Sequence, residues 1–205
     1  HTAWDLTQRS ESWIRKELTI TGVRTWKELR GESCVSIDEP PHKKSICTSR
    51  SFSGSGLNKL ADVEEAVANF AAACSRKLRE GHIVCSSVTV FAHTSRFRID
   101  VPQNYIYRTI NLVVPTNDMQ ELVAVAVKTL REDWKGGGFL YKKAGVIVWN
   151  TCEGKAMRGN LFVEVNREKQ AALAKAIDAI SHKNGHSSIR MAVQGYSRNW
   201  HLKNE

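Results

Sequence analysis

Two apolar periodicities alternate between residues 44 and 149, and their order limits the folds that this chain can adopt. Two segments, 62–80 and 118–135, repeat apolar residues every three or four positions, as amphipathic helices do. Apolar and polar residues instead alternate, as in half-buried strands, at 44–53, 84–94, 105–114 and 140–149. The order β-α-β-β-α-β predicts an α+β two-layer sandwich, in which a four-stranded antiparallel sheet carries two helices on one face. The other face of the sheet is then open to solvent or to a ligand.

The segments on either side of this pattern are predicted to be mainly helical. Residues 1–30 contain short helical patterns, and the charged segment 31–43, with its two prolines, is typical of a linker. Residues 154–205 form a helical extension, with a helix expected at 167–181 and a short strand within 185–195. Because the chain begins inside a helical pattern and not with methionine, we expect it to be part of a longer protein.

The charge of the chain favours a polyanionic partner. It carries 30 Lys and Arg against 21 Asp and Glu, which gives a net charge of +9 and a pI near 9.5. Nucleic acid is a common partner of so basic a domain, although a basic protein without such a partner also fits this composition. The five cysteines include no CxxC pair, so neither a disulfide framework nor a zinc site is indicated. We expect a cytoplasmic protein without a membrane segment.

The sequence contains no recognisable catalytic constellation. The acidic residues Asp62 and Asp118 stand at predicted helix starts, where they suit the helix dipole, and Asp62 is expected to be the N-cap of its helix. The histidines form no metal-binding pair, and the glycines at 136–138 are not followed by the GK[ST] of a phosphate-binding loop. We therefore expect no catalytic residue, no metal site and no cofactor in this chain.

Basic residues on the predicted strands indicate a binding surface. A charged side chain is unfavourable between sheet and helices, so we expect these residues on the open face or at its rim. Hydroxyl groups on the first strand could add contacts to phosphates. The candidate residues are Lys43, Lys44, Ser45, Arg50, Ser51, Arg96, Arg98, Arg108, Lys142 and Lys143. An ordinary solvated face is the alternative. The aromatic residues show no RNP spacing, which disfavours base stacking of the RRM type.

Several motifs resemble a known family. The segment KSICTSRSF is similar to the first strand of the little finger domain in Y-family DNA polymerases. Together with WIRKELTITGVRTWKELRGESC, VVPTND and YKKAGVIV, it resembles the C-terminal half of UmuC-type subunits, the ImpB/MucB/SamB family. The resemblance extends over about residues 4–203, and the motifs stand in the family's order.

This resemblance implies a domain organisation and a function. Residues 1–30 would be the end of the thumb, 31–43 a linker, 44–153 the little finger and 154–205 an extension. The family's sheet has the strand order 1-4-2-3 and lies across the major groove of duplex primer-template DNA, where it contacts phosphates of both strands. The family's catalytic palm, with its Mg²⁺, is absent from this chain, which would bind DNA during SOS lesion bypass without polymerising it.

A weaker resemblance concerns the extension. UmuC-type subunits carry a sliding-clamp-binding peptide of the form Gln-Leu-Asn-Leu-Phe, and here Asn160, Leu161 and Phe162 match its end. Arg158 and Gly159 replace the first two residues. Leu161 and Phe162 could fill a pocket on the clamp or pack onto their own domain. The alternative to DNA binding is thus a protein-interaction module for the clamp or for partner polymerase subunits such as a UmuD-type protein.

Overall fold

A computed structural model describes residues 2–36, 43–136, 138–154, 166–185, 188–196 and 200. The chain divides into two compact units, residues 1–42 and 43–205. The division falls within the segment 37–42, which lies outside the described residues.

The first unit consists of two helices, α1 (Ala3–Thr7) and α2 (Glu11–Leu29). The side chain of Ser10 caps α2 by accepting a hydrogen bond from the backbone N–H of Trp13. At Thr19 the backbone leaves the helical region with a φ of 62°, which kinks α2. The unit has a small core of Ile14, Val23 and Trp26.

The second unit confirms the predicted fold class. Its sheet is antiparallel with the order β1-β4-β2-β3, the order that the family resemblance implied. The elements are β1 (Ser45–Ser51), α3 (Leu60–Glu80), β2 (Ile83–Thr94), β3 (Tyr105–Thr116), α4 (Met119–Asp133), β4 (Tyr141–Glu153) and α5 (Arg167–Asn184). Helix α3 begins two residues before Asp62: Lys59 stands at the N-cap position without a side-chain cap, so the predicted N-cap is wrong.

One face of the sheet packs on α3 and α4, and this layer forms the core. Alternate strand residues point into it, and the helices contribute their apolar stripes. Buried core residues include Ile46, Val88, Val90, Ala144, Val146 and Val148 from the strands and Val67, Phe70, Cys74, Leu78, Leu122 and Leu130 from the helices. Burying each of the larger apolar side chains contributes about 1.5–3 kcal/mol. The same alternation sends the intervening strand residues to the opposite face.

The C-terminal extension packs on the far side of the helix layer. The Arg79 side chain on α3 forms an ion pair of 2.6 Å with Asp178 on α5. The Trp200 ring meets Phe70 edge-on, with ring centroids 5.5 Å apart. The strand predicted within 185–195 is wrong: none of its described residues is in a strand, and Ala192–Gln194 form a 3-10 turn that packs on α3.

Candidate nucleic-acid interface

The sheet face opposite the helices is built from four rows of side chains that run across the strands. Each row takes one residue from β1, β4, β2 and β3, in that spatial order. The rows are Ser45–Trp149–Ser87–Asn111, Cys47–Ile147–Thr89–Thr109, Ser49–Gly145–Phe91–Tyr107 and Ser51–Lys143–His93–Tyr105. We call these sixteen residues the open face. Hydroxyl and aromatic side chains predominate in it, and Lys143 is its one Lys or Arg.

Hydrogen bonds between side chains order the centre of the open face. Trp149 donates its indole N–H to the Thr89 hydroxyl over 2.8 Å, and Thr89 and Thr109 share a hydrogen bond of 2.7 Å. In the next row the Ser87 hydroxyl donates to the Asn111 side-chain oxygen over 2.9 Å. These contacts satisfy polar groups that the neighbouring side chains bury, so they fix the positions of the strands' outer side chains.

Four rings gather at the other end of the open face. The Tyr105 and Tyr107 rings are nearly parallel, 8° apart, with centroids separated by 5.8 Å. The Phe91 and His93 rings are 14° apart with centroids at 6.3 Å. Tyr105 is 63% exposed and Tyr107 is 49% exposed. Gly145 makes room for Phe91, since a Cβ there would lie 2.5 Å from the end of the Phe91 ring.

Cations flank the open face at both ends. Lys43 and Lys44 are exposed immediately before β1, where the Thr151 hydroxyl donates to the Lys43 carbonyl. Lys143 is in the row at the opposite end, and Arg96 is exposed in the loop that follows β2. None of these four cations forms an ion pair with another residue in the described part of the chain. Their charges are therefore available to a ligand.

Arg50 and Arg108 are not on the open face, which corrects the prediction. Arg50 pairs with Ala144 and Arg108 with Val90, so both side chains leave the sheet on the helix side. Both belong to edge strands, where the helix layer ends and a charged group can still reach solvent. Arg50 lines a cavity of about 370 Å³ beside α3. The Arg108 guanidinium lies 2.8 Å from the Asp133 carboxylate. The hydrogen bond to Asp133 raises the pKa of Arg108.

Lys142 and Arg98 differ from the four flanking cations because groups of the same chain bind them. Lys142 lies at a register shift of β4 against β2, and its ammonium donates to the carbonyl oxygens of residues 52 and 54 over 2.6 and 2.7 Å. Arg98, in the loop after β2, is neutralised by Asp100, with 2.5 Å between the closest atoms. That hydrogen bond lowers the pKa of the Asp100 carboxyl. Both basic groups are engaged within the chain.

The open face brings together aromatic residues that the sequence analysis did not group. Phe91, Tyr105, Tyr107 and Trp149 come from three strands and become neighbours only once the register is known. One local signal was present: in the sequence YIY, Ile106 is the natural core residue, and it is 3% exposed. The two tyrosines must then share the opposite face. The expectation against aromatic stacking therefore missed this cluster.

The side chains of the open face, together with the flanking cations, suit a polyanion that carries planar groups. Hydroxyls and a side-chain amide can bind phosphate or base edges, rings can stack, and the flanking cations can neutralise phosphates. Among the described residues, no cluster of three or more His, Cys, Asp and Glu could hold a metal ion. Likewise, none of the described helices is long and apolar enough to cross a membrane. The candidate clamp peptide, Asn160, Leu161 and Phe162, lies outside the described residues.

Comparison with known proteins gives consistent matches along the chain. Residues 43–161 match the model of the impB/mucB/samB family C-terminal domain, and residues 171–205 match a domain of unknown function, DUF4113. The UmuC and SamB proteins of Salmonella typhimurium are each 34% identical over 206 residues, and the MucB protein of Escherichia coli is 32% identical over 206 residues. Each alignment covers 100% of this chain and 48% of the relative, so the chain spans about half the length of the curated relatives it matches.

Proposed function

The chain belongs to the impB/mucB/samB family, and on this premise we propose that it is the DNA-binding C-terminal part of an error-prone Y-family lesion-bypass DNA polymerase. In this assignment residues 1–30 are the end of the thumb, 31–43 the linker, 44–153 the little finger and 154–205 an extension. The little finger holds primer-template DNA during SOS lesion bypass in the bacterial cytoplasm. Polymerisation, with its Mg²⁺, is the task of a palm domain in the parent protein.

The observation that carries this proposal is the open face with unpaired cations at both ends. From Ser45 to Ser51 the first strand spans six residue steps, or roughly 20 Å. That length exceeds the width of a major groove, about 12 Å. Lys43 and Lys44 at one end and Lys143 at the other can therefore reach phosphates on both strands of a duplex that lies across the face.

Binding of this kind is electrostatic and largely independent of sequence. Each lysine that neutralises a phosphate releases condensed counterions, which favours association. The hydroxyls of Ser45, Ser49 and Ser51 lie in one line on the edge strand β1 and can add neutral contacts to phosphate oxygens. The neutral contacts fix the register of the DNA, while the charges supply most of the affinity.

A second function, protein interaction, is supported by the loop between β2 and β3. Phe97 and Ile99 are 89% and 94% exposed at its tip, although hydrogen bonds order the loop. Exposed apolar residues on an ordered loop are typical of contacts with another protein. The sliding clamp and a UmuD-type subunit are the partners we propose for this second function, with the segment around Leu161 and Phe162 as a further contact.

The salt dependence of DNA binding separates the two functions. Four phosphate contacts, from Lys43, Lys44, Lys143 and Arg96, give a log–log slope of about −3.6, so affinity for a primer-template duplex should fall roughly a hundredfold from 50 to 200 mM salt. Fluorescence anisotropy with a labelled duplex measures this directly. An affinity that stays flat over this range would rule out the DNA-binding function and leave protein interaction.

A further inference from the structure

We propose that the ring cluster of the open face, Phe91, His93, Tyr105 and Tyr107, binds the unpaired bases of single-stranded DNA by stacking. The inference rests on the proposed DNA-binding function but assigns a different form of DNA to one end of the face. It concerns the template beyond the primer end, or any other segment where bases lack a partner. The lysines and hydroxyls of the open face still bind duplex DNA, and Lys143, beside the rings, can contact the backbone of either form.

The geometry of the two tyrosines fits stacking on bases. Tyr105 and Tyr107 are successive outward residues of the edge strand β3, and their rings are within 8° of parallel. With 63% and 49% exposure, both rings offer free surface to a planar ligand. A base has a π-face of similar size, and stacking on aromatic side chains tolerates every base. The tyrosines are thus a platform on which unpaired bases can settle without selection by sequence.

Cations lie next to the two tyrosines and can bind the phosphate backbone of a single strand. Lys143 shares a row with His93 and Tyr105, and Arg96 follows three residues after His93 in the chain. Phe97, 89% exposed, follows Arg96 in the same loop. Single-strand-binding proteins combine aromatic rings, on which the bases stack, with cations that bind the phosphate backbone.

The rings distinguish single strands from duplexes. Bases inside a duplex already stack on their neighbours and expose only their edges in the grooves, so a ring cannot reach their faces. An unpaired base leaves its face free. The other explanation for the cluster is stabilisation of the sheet by cross-strand aromatic pairs. Stabilisation of the sheet accounts for Phe91, which is half-buried over Gly145. It does not account for Tyr105, because most of the surface of that residue is exposed to water.

The test compares single-stranded and duplex DNA on the full chain. Fluorescein-labelled oligo-dT and a duplex of equal length are titrated at one salt concentration, and binding is followed by anisotropy. The double variant Tyr105→Leu/Tyr107→Leu removes both rings but keeps apolar bulk. Its matched control, Tyr105→Phe/Tyr107→Phe, keeps the rings. Because both positions are exposed, both variants should fold, and circular dichroism checks this.

We expect the leucine variant to bind oligo-dT at least tenfold more weakly, while the phenylalanine variant binds within about twofold of the parent chain. In the leucine variant, duplex affinity should fall severalfold less than oligo-dT affinity, since phosphate contacts supply most of the duplex affinity. An unchanged affinity of the leucine variant for oligo-dT would overturn the inference, and so would an equal loss on both forms of DNA. The duplex arm separately tests the proposed function: a parent chain that binds oligo-dT but no duplex contradicts that function alone.

Discussion

Replacing Lys43, Lys44 and Lys143 by glutamine should weaken binding to duplex DNA by roughly 10²- to 10³-fold near 0.1 M salt. These lysines flank the open face at both ends and form no ion pair with another described residue. Each lost phosphate contact removes about one counterion release, so the log–log salt slope should become shallower by about three. Anisotropy titrations at several salt concentrations give both quantities, and the loss should be similar for unrelated DNA sequences.

A matched control removes the same charge elsewhere. Lys128 on α4 and Lys175 and Lys183 on α5 are exposed on helices, and replacing all three by glutamine lowers the net charge equally. This control should bind duplex DNA within a few-fold of the parent chain, with nearly the same salt slope. If both triple variants lose affinity equally, net charge governs binding and the open face has no special part in it.

Gly145→Ala should destabilise the second unit by about 1–3 kcal/mol, as overpacking typically does. A Cβ at this position would lie 2.5 Å from the Cβ of Ser49 and 2.5 Å from the end of the Phe91 ring. The Ser49 atom is fixed to the neighbouring strand, so the ring and the strands must both shift. For a chain of this size the midpoint of thermal unfolding should fall by about 2–10 °C, which calorimetry can measure.

The control for this variant is Gly136→Ala. A Cβ at Gly136 meets no atom within 4 Å, so this change should leave the unfolding midpoint within about 2 °C of the parent. Because Gly145→Ala displaces Phe91, it should also weaken binding of oligo-dT. A thermal midpoint equal to that of Gly136→Ala would show that β4 accommodates a side chain beneath Phe91 at no cost.

Much of the fold could be predicted from the sequence because periodicity reports burial. The alternation around Ile46 and the stripe containing Cys74 identified core residues, and both are buried. The strand order followed from the family resemblance, since periodicity alone does not determine which strands pair. The prediction of a strand within 185–195 failed because a strand forms only where a free sheet edge can pair with it. The local sequence carries no information about such an edge.

The site was predicted less well, for two physical reasons. The rule that charged side chains avoid the helix layer holds in the middle of a sheet, but Arg50 and Arg108 are on edge strands where solvent is close. Ion pairs such as Arg108–Asp133 join residues 25 positions apart, so composition does not reveal which charges are already neutralised. The ring cluster depends in the same way on the register of three strands.

Hydroxyl-radical footprinting with and without a primer-template duplex tests the central claim, that the open face is the DNA-binding surface. Trp149 and Tyr107 are exposed on that face, whereas Tyr196, 86% exposed, belongs to the extension packed on the helix layer and serves as the internal reference. Mass spectrometry then gives the oxidation rate of each ring. We predict that DNA slows oxidation of Trp149 and Tyr107 severalfold relative to Tyr196. Equal rates with and without DNA at both open-face rings, or protection of Tyr196 alone, would contradict the claim.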